Sequence, residues 1–137
     1  MRRVLTFLGL AAVIAAGLGF WITAPARVDS TRFASVAGTA EAGKTVFLAS
    51  GCASCHHAPG SEDKLLLAGG ERFDSDFGTF VAPNISSDPV HGIGAWSLED
   101  FANAVLAGVS PEGRHYYPAF PYASYAGMTE QDLADLW

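Results

Sequence analysis

The sequence predicts a mainly α-helical protein: one N-terminal transmembrane helix, then a single small domain of short helices joined by long loops. Three observations point there. An uncharged run, residues 4–26, lies directly behind Arg2 and Arg3. Helix start and stop signals flank residues 97–108 and open again at Thr129. No strand-like alternation precedes Cys52, and residues 58–88 show little periodicity of any kind. With 137 residues there is room for one domain. The net charge of −6 excludes a nucleic-acid binder, which needs a basic face against phosphate.

The apolar residues are unevenly spread. Residues 1–26 hold 18 of them, against 50 in the following 111 residues. Without Arg2 and Arg3, the remainder carries six basic and fourteen acidic residues, a balance of −8. The apolar centre, residues 4–22, would span about 28 Å as a helix, close to a bilayer core of about 30 Å. A cleaved signal peptide has a shorter apolar core, although Ala24-Pro25-Ala26 imitates its cleavage site. Length and an interfacial Trp21 favour an uncleaved anchor over residues 1–26. Positive charge inside keeps the N-terminus cytoplasmic and exports everything after Arg27. Residues 27–38, rich in small side chains, are expected to form a linker.

The domain begins at residue 39. A helix is expected from Thr39 to Gly51, with Val46 and Phe47 apolar and Glu41 and Lys44 polar. Gly43 inside it lowers helix propensity, which suggests a close backbone approach by another element. Residues 58–88 read as loop, and Phe73, Phe77 and Phe80 within it require an apolar cover. Ser97 starts a second helix that runs to Ala107, with Asp100 completing a capping box and Gly108 as the stop. Leu98, Phe101, Ala102 and Val105 share one of its faces. Thr129 caps a third helix, with Glu130 and Asp132 in the first turn. Its stripe of Leu133, Leu136 and Trp137 is unfinished where the sequence stops, so the domain, residues 39–137, is expected to be truncated in its C-terminal helix.

The chemistry lies in Cys52-Ala53-Ser54-Cys55-His56, which contains the only two cysteines. This is the c-type haem attachment pattern. Two thiols on one turn can bond the two vinyl groups of one porphyrin, and the next residue presents its imidazole to the iron. A thioredoxin-like dithiol is the first rival, but it should open a helix after a strand. A zinc site is the second, but His91 and His115 are scattered far down the chain. His57 is assigned to surface or propionate-edge packing, since neighbouring side chains cannot both reach one iron from the same side.

Ala82-Pro83-Asn84-Ile85-Ser86, Gly92-Ile93-Gly94-Ala95-Trp96-Ser97 and Tyr117-Pro118-Ala119-Phe120-Pro121-Tyr122-Ala123-Ser124-Tyr125 complete a pattern over residues 39–137. It resembles the class I cytochrome c-like haem domains of bacterial membrane-anchored c-type cytochromes. That group includes cytochrome subunits of periplasmic alcohol, gluconate and related dehydrogenases. The resemblance implies helices and long loops wrapped on one covalent haem c, with first and last helices crossing at Gly43 and Phe47. It implies a haem domain facing the periplasm from the bacterial inner membrane. It also implies one-electron transfer from a dehydrogenase donor to a cytochrome or oxidase acceptor of the respiratory chain; with no nucleophile–base pair or paired carboxylate site apparent, no substrate turnover is assigned.

In such cytochromes a methionine commonly completes the iron. Related domains often carry Met where this chain has Phe120, which leaves Met128 as the sulfur candidate opposite His56. His115 is the alternative sixth ligand. An open iron position would instead suit a haem enzyme acting on a small molecule. Trp96, Tyr116, Tyr117, Tyr122 and Tyr125 are candidates to line the haem pocket, and Arg114 to pair with a propionate. His91 is expected to be exposed.

Overall fold

The computed structural model describes residues 1–137. Helix α1, Arg2–Thr23, has a mean hydropathy of 2.1 and no buried residue. Its 22 residues extend about 33 Å at 1.5 Å per residue, enough to cross a bilayer. The hydroxyls of Thr6 and Thr23 donate back to the carbonyls of Arg2 and Gly19, at 3.0 and 2.8 Å. The helix therefore presents little unpaired polarity along its sides.

Residues 27–38 do more than link. The Val28 amide donates to Asn103 Oδ1 at 2.8 Å, and Asp29 caps a short 3-10 helix, Ser30–Phe33. Phe33 is buried in the core with Ala102, Val105 and Leu133. Arg32 pairs with Glu130, while Gly38 lies against the backbone of Ala134. The expected linker is thus packed and hydrogen-bonded against the helices through Val28, Arg32, Phe33 and Gly38.

Helix α2, Ala40–Ser50, ends at Gly51, whose φ of +69° suits glycine. It crosses the last helix, α6, Glu130–Leu136. At the crossing a Cβ on Gly43 would run into the carbonyl oxygen of Asp135, so the backbones meet where Gly43 has no side chain. Asp135 also accepts from the Thr39 amide at 2.7 Å, joining the start of α2 to α6. Short helix α3, Ala53–His56, follows α2 directly.

Residues 58–88 are not all loop. Strands β1, Arg72–Ser75, and β2, Gly78–Val81, form an antiparallel hairpin pairing Arg72 with Val81 and Phe73 with Phe80. Each strand has only four residues, too few to display an alternating pattern. Gly78 at φ +117° and the Ser75 hydroxyl, which donates to Gly78 O at 2.8 Å, close the turn. The expected cover for the three phenylalanines is found for one. Phe80 stacks on Tyr117 at 4.6 Å, whereas Phe73 is exposed and Phe77 is 84% exposed at the tip.

Helix α4, Leu98–Ala107, has the full capping box. The Ser97 side chain accepts from the Asp100 amide, and Asp100 accepts from the Ser97 amide and hydroxyl. Those two bonds hold the Asp100 carboxyl below the usual carboxylate range. Gly108 ends α4 at φ +64° beneath the ring of Tyr122, which belongs to α5, Tyr122–Tyr125. The fully buried side chains of useful size are only Leu133, Val109 and Asn103.

Replacing Gly43 by Leu should force α2 and α6 apart and cost about 1–3 kcal/mol of unfolding free energy, as overpacking does. Gly19→Leu, where nothing lies within 4 Å, should leave the denaturant midpoint unchanged.

Candidate haem site

The left-handed turn at Gly51 swings the chain out of α2 and into α3. The His56 amide donates to Cys52 O at 3.1 Å, and the Ser54 hydroxyl donates to Gly51 O at 2.6 Å. Cys52, Cys55 and His56 therefore share one helical turn. Both thiols are free, Cys52 half-buried and Cys55 exposed. Burial pushes the Cys52 thiol above its ordinary range, which disfavours the thiolate that disulfide exchange requires. No βαβ unit surrounds the pair either, as a thioredoxin-like site would require. Nowhere do three His, Cys, Asp or Glu side chains converge as ligands for a bare metal ion.

The orientation of His56 is set from the far side. Its Nδ1 lies 2.8 Å from Pro83 O. A carbonyl only accepts, so Nδ1 donates and Nε2 is left with its lone pair for a metal. Pro83 is itself held in place. Gly69 N donates to His56 O and Gly70 N to Ala82 O, both at 2.9 Å. Gly69 has φ +68°, and a Cβ there would collide with the backbone of Ala82 and Pro83. His57 turns elsewhere, with Nδ1 donating to Ala53 O at 3.0 Å and Nε2 3.9 Å from Glu71.

An aromatic wall stands on another side of the motif. Tyr125 OH donates to Ser50 O at 2.9 Å, at the end of α2. Burial, then the proximity of Cys52 and Cys55, pushes its phenol up. Phe120 lies between Tyr116, Tyr122 and Tyr125, with ring centroids 5.8, 6.2 and 6.3 Å away. Met128 is half-buried beside the core, as are Phe120 and Tyr125, and its amide donates to Tyr125 O at 2.9 Å.

The other histidines are engaged away from this cluster. His115 is exposed, and its Nε2 donates to Thr23 O at 3.0 Å. His91 is exposed, 3.5 Å from Asp88. Arg114 is exposed and paired with Glu112 at 3.6 Å, and Trp96 is half-buried in its loop.

The residues fit a covalent haem. Two free thiols on one turn and an imidazole with a directed lone pair make a suitable donor set. The surrounding domain buries few large apolar side chains and leaves Leu65, Leu66, Val81 and Tyr117 substantially exposed. The family pattern described as Cytochrome c matches residues 40–137. The chain belongs to the cytochrome c family. Covalent haem c is the cofactor that membership brings.

Among relatives, this cytochrome is 55% identical over 139 residues to a protein named diheme cytochrome c-type from Cereibacter sphaeroides, covering 99% of this chain and 47% of that one. It is 38% identical to a nicotinate dehydrogenase subunit of Pseudomonas putida, over 96% of this chain and 11% of that protein. The gluconate 2-dehydrogenase cytochrome c subunit of Pantoea cypripedii is 37% identical over 69% of this chain and 21% of its own length. The chain thus spans about half or less of the length of these relatives.

Of the expected pocket aromatics, Tyr116, Tyr122 and Tyr125 gather around Phe120, whereas Tyr117 stacks on Phe80 and Trp96 stays in its own loop; Pro83, the acceptor for His56, was not among the expected site residues. A backbone carbonyl has no side-chain signature; the only cue was the Gly69-Gly70 pair that lets the Ala82–Pro83 backbone approach. Cys52→Ala and Cys55→Ala should each leave one thioether and retain haem on a denaturing gel. The double variant should lose it completely when stained for covalent haem.

Proposed function

We propose that this cytochrome carries single electrons through one haem c on the periplasmic side of a bacterial inner membrane. Cys52 and Cys55 hold the haem covalently, and His56 and Met128 are its axial ligands. When bound, the haem supplies an iron that alternates between Fe(II) and Fe(III). The observation that carries this proposal is the His56–Pro83 hydrogen bond at the end of the two-cysteine turn. It fixes the ring tautomer, restrains ring rotation and raises the basicity of Nε2. With only two cysteines, this segment attaches one haem.

Met128 is supported as the sixth ligand by its place, half-buried beside Tyr125, whose hydroxyl donates to Ser50 O two residues before Cys52. His115 is a poorer candidate because its Nε2 is committed to Thr23. Phe120 and its neighbouring tyrosines keep water from that side, which stabilises the less charged reduced state. Anchoring by α1 is supported by its length and apolar surface. A dehydrogenase as electron donor, with a cytochrome or oxidase as acceptor, is supported by relatives named as dehydrogenase cytochrome subunits.

Met128→Leu tests the ligand assignment. The reduced protein should change from low-spin to high-spin, bind carbon monoxide rapidly and show a lower midpoint potential. His115→Ala should leave spectrum and potential unchanged. The opposite pattern would make His115 the ligand.

A further inference from the structure

The stretch that leaves α1 is bonded to one part of the domain. Thr23 O accepts from His115 Nε2 at 3.0 Å, and Arg27 Nη2 donates to Pro111 O at 2.8 Å. The Val28 amide donates to Asn103 Oδ1 at 2.8 Å, and Asn103 Nδ2 in turn donates to Glu99 O within α4. All three bonds land on α4 or on the loop behind it, residues 109–115. That loop is rigid. Val109 and His115 form an antiparallel bridge, Ser110 N donates to Arg114 O at 2.8 Å, and Gly113 N donates to Ser110 O at 2.8 Å. Ser110 is buried, and its hydroxyl donates to Glu112 at 2.7 Å.

Helix α1 is otherwise free of the domain. Phe20, Trp21 and Ile22, in its last turn, are 79, 75 and 73% exposed. If these side chains lie in the bilayer boundary, Thr23 sits at headgroup depth, and residues bonded to it sit there too. The loop's chemistry suits that depth. Arg27 and Arg114 are cationic and exposed. Within the loop Glu112 is the single acid, and Arg114 lies 3.6 Å from it; on the neighbouring α4, Asp100 lies within the reach of the Arg27 charge. This local cation pair stands out on a domain whose net balance is strongly acidic and would be repelled by an anionic surface.

We infer that residues 109–115 form a membrane-contact surface that seats the domain on phospholipid phosphates, with Arg27 and Arg114 as the headgroup contacts. The inference rests on α1 being a membrane anchor. The domain is then held in one orientation on the bilayer, with no free swing on a tether, and the same face always points at lipid. His115 and Arg27 act as positioning residues for this arrangement.

The test uses the full haem-loaded chain in phosphatidylcholine vesicles containing a lipid-anchored nickel chelate. The haem is kept in its reduced, diamagnetic state. A nitroxide is attached at Glu112→Cys in one sample and at Lys64→Cys in another. Electron paramagnetic resonance saturation should show several-fold stronger relaxation at position 112 than at 64. Arg27→Gln combined with His115→Ala should collapse that ratio towards one, while haem spectrum and flotation with vesicles stay as before. Equal relaxation at the two positions in a chain that floats with the vesicles would overturn the membrane-contact surface alone. So would a ratio that the double variant leaves intact. Failure to float would overturn the anchor and the surface together, without touching the haem assignment.

Discussion

The hydrogen bond from His56 to the Pro83 carbonyl joins the two parts of the chain on which everything else converges. On one side it closes the helical turn carrying both thiols. On the other it bears on a loop fixed by Gly69, Gly70 and the base of the β1–β2 hairpin. A single accepting oxygen decides which ring nitrogen keeps its lone pair, and hence which can bind iron. Gly69 belongs to the same device, because any side chain there would push Pro83 away.

Around this device the peptide is a poor core. The side chains clustered at its centre are Phe33, Ala102, Val105 and Leu133, two of them modest in size. Backbone crossings do much of the work: Gly43 against Asp135, Gly38 against Ala134 and Gly108 beneath Tyr122. A porphyrin set against the Phe120–Tyr125 cluster would remove apolar surface from water at roughly 25 cal/mol per Å², on both the group and the chain. The family membership and the sparse core are thus consistent with each other, since a bound haem would add apolar surface to the interior.

Much of this was legible in the sequence because it depends on local rules. The capping box of Ser97 and Asp100, the Thr129 cap, the glycine stops at Gly51 and Gly108, and the length of α1 each follow from residues a few positions apart. The closeness at Gly43 could also be anticipated, since a helical glycine has few other uses. What escaped depends on distant partners. The hairpin has strands too short to show a period, and α5 is a single turn. Residues 27–38 look like a tether until Phe33 finds Leu133 and Arg32 finds Glu130. His115 reads as an alternative iron ligand because nothing in the sequence brings Thr23 beside it.

Nuclear magnetic resonance of isotope-labelled histidines in the reduced, haem-loaded protein tests the central claim most directly. His56 should carry a proton on Nδ1 that exchanges slowly with water, with Nε2 unprotonated and bound to iron. A protonated Nε2 on His56, or an Nδ1 proton exchanging as freely as in an exposed ring, would contradict the account.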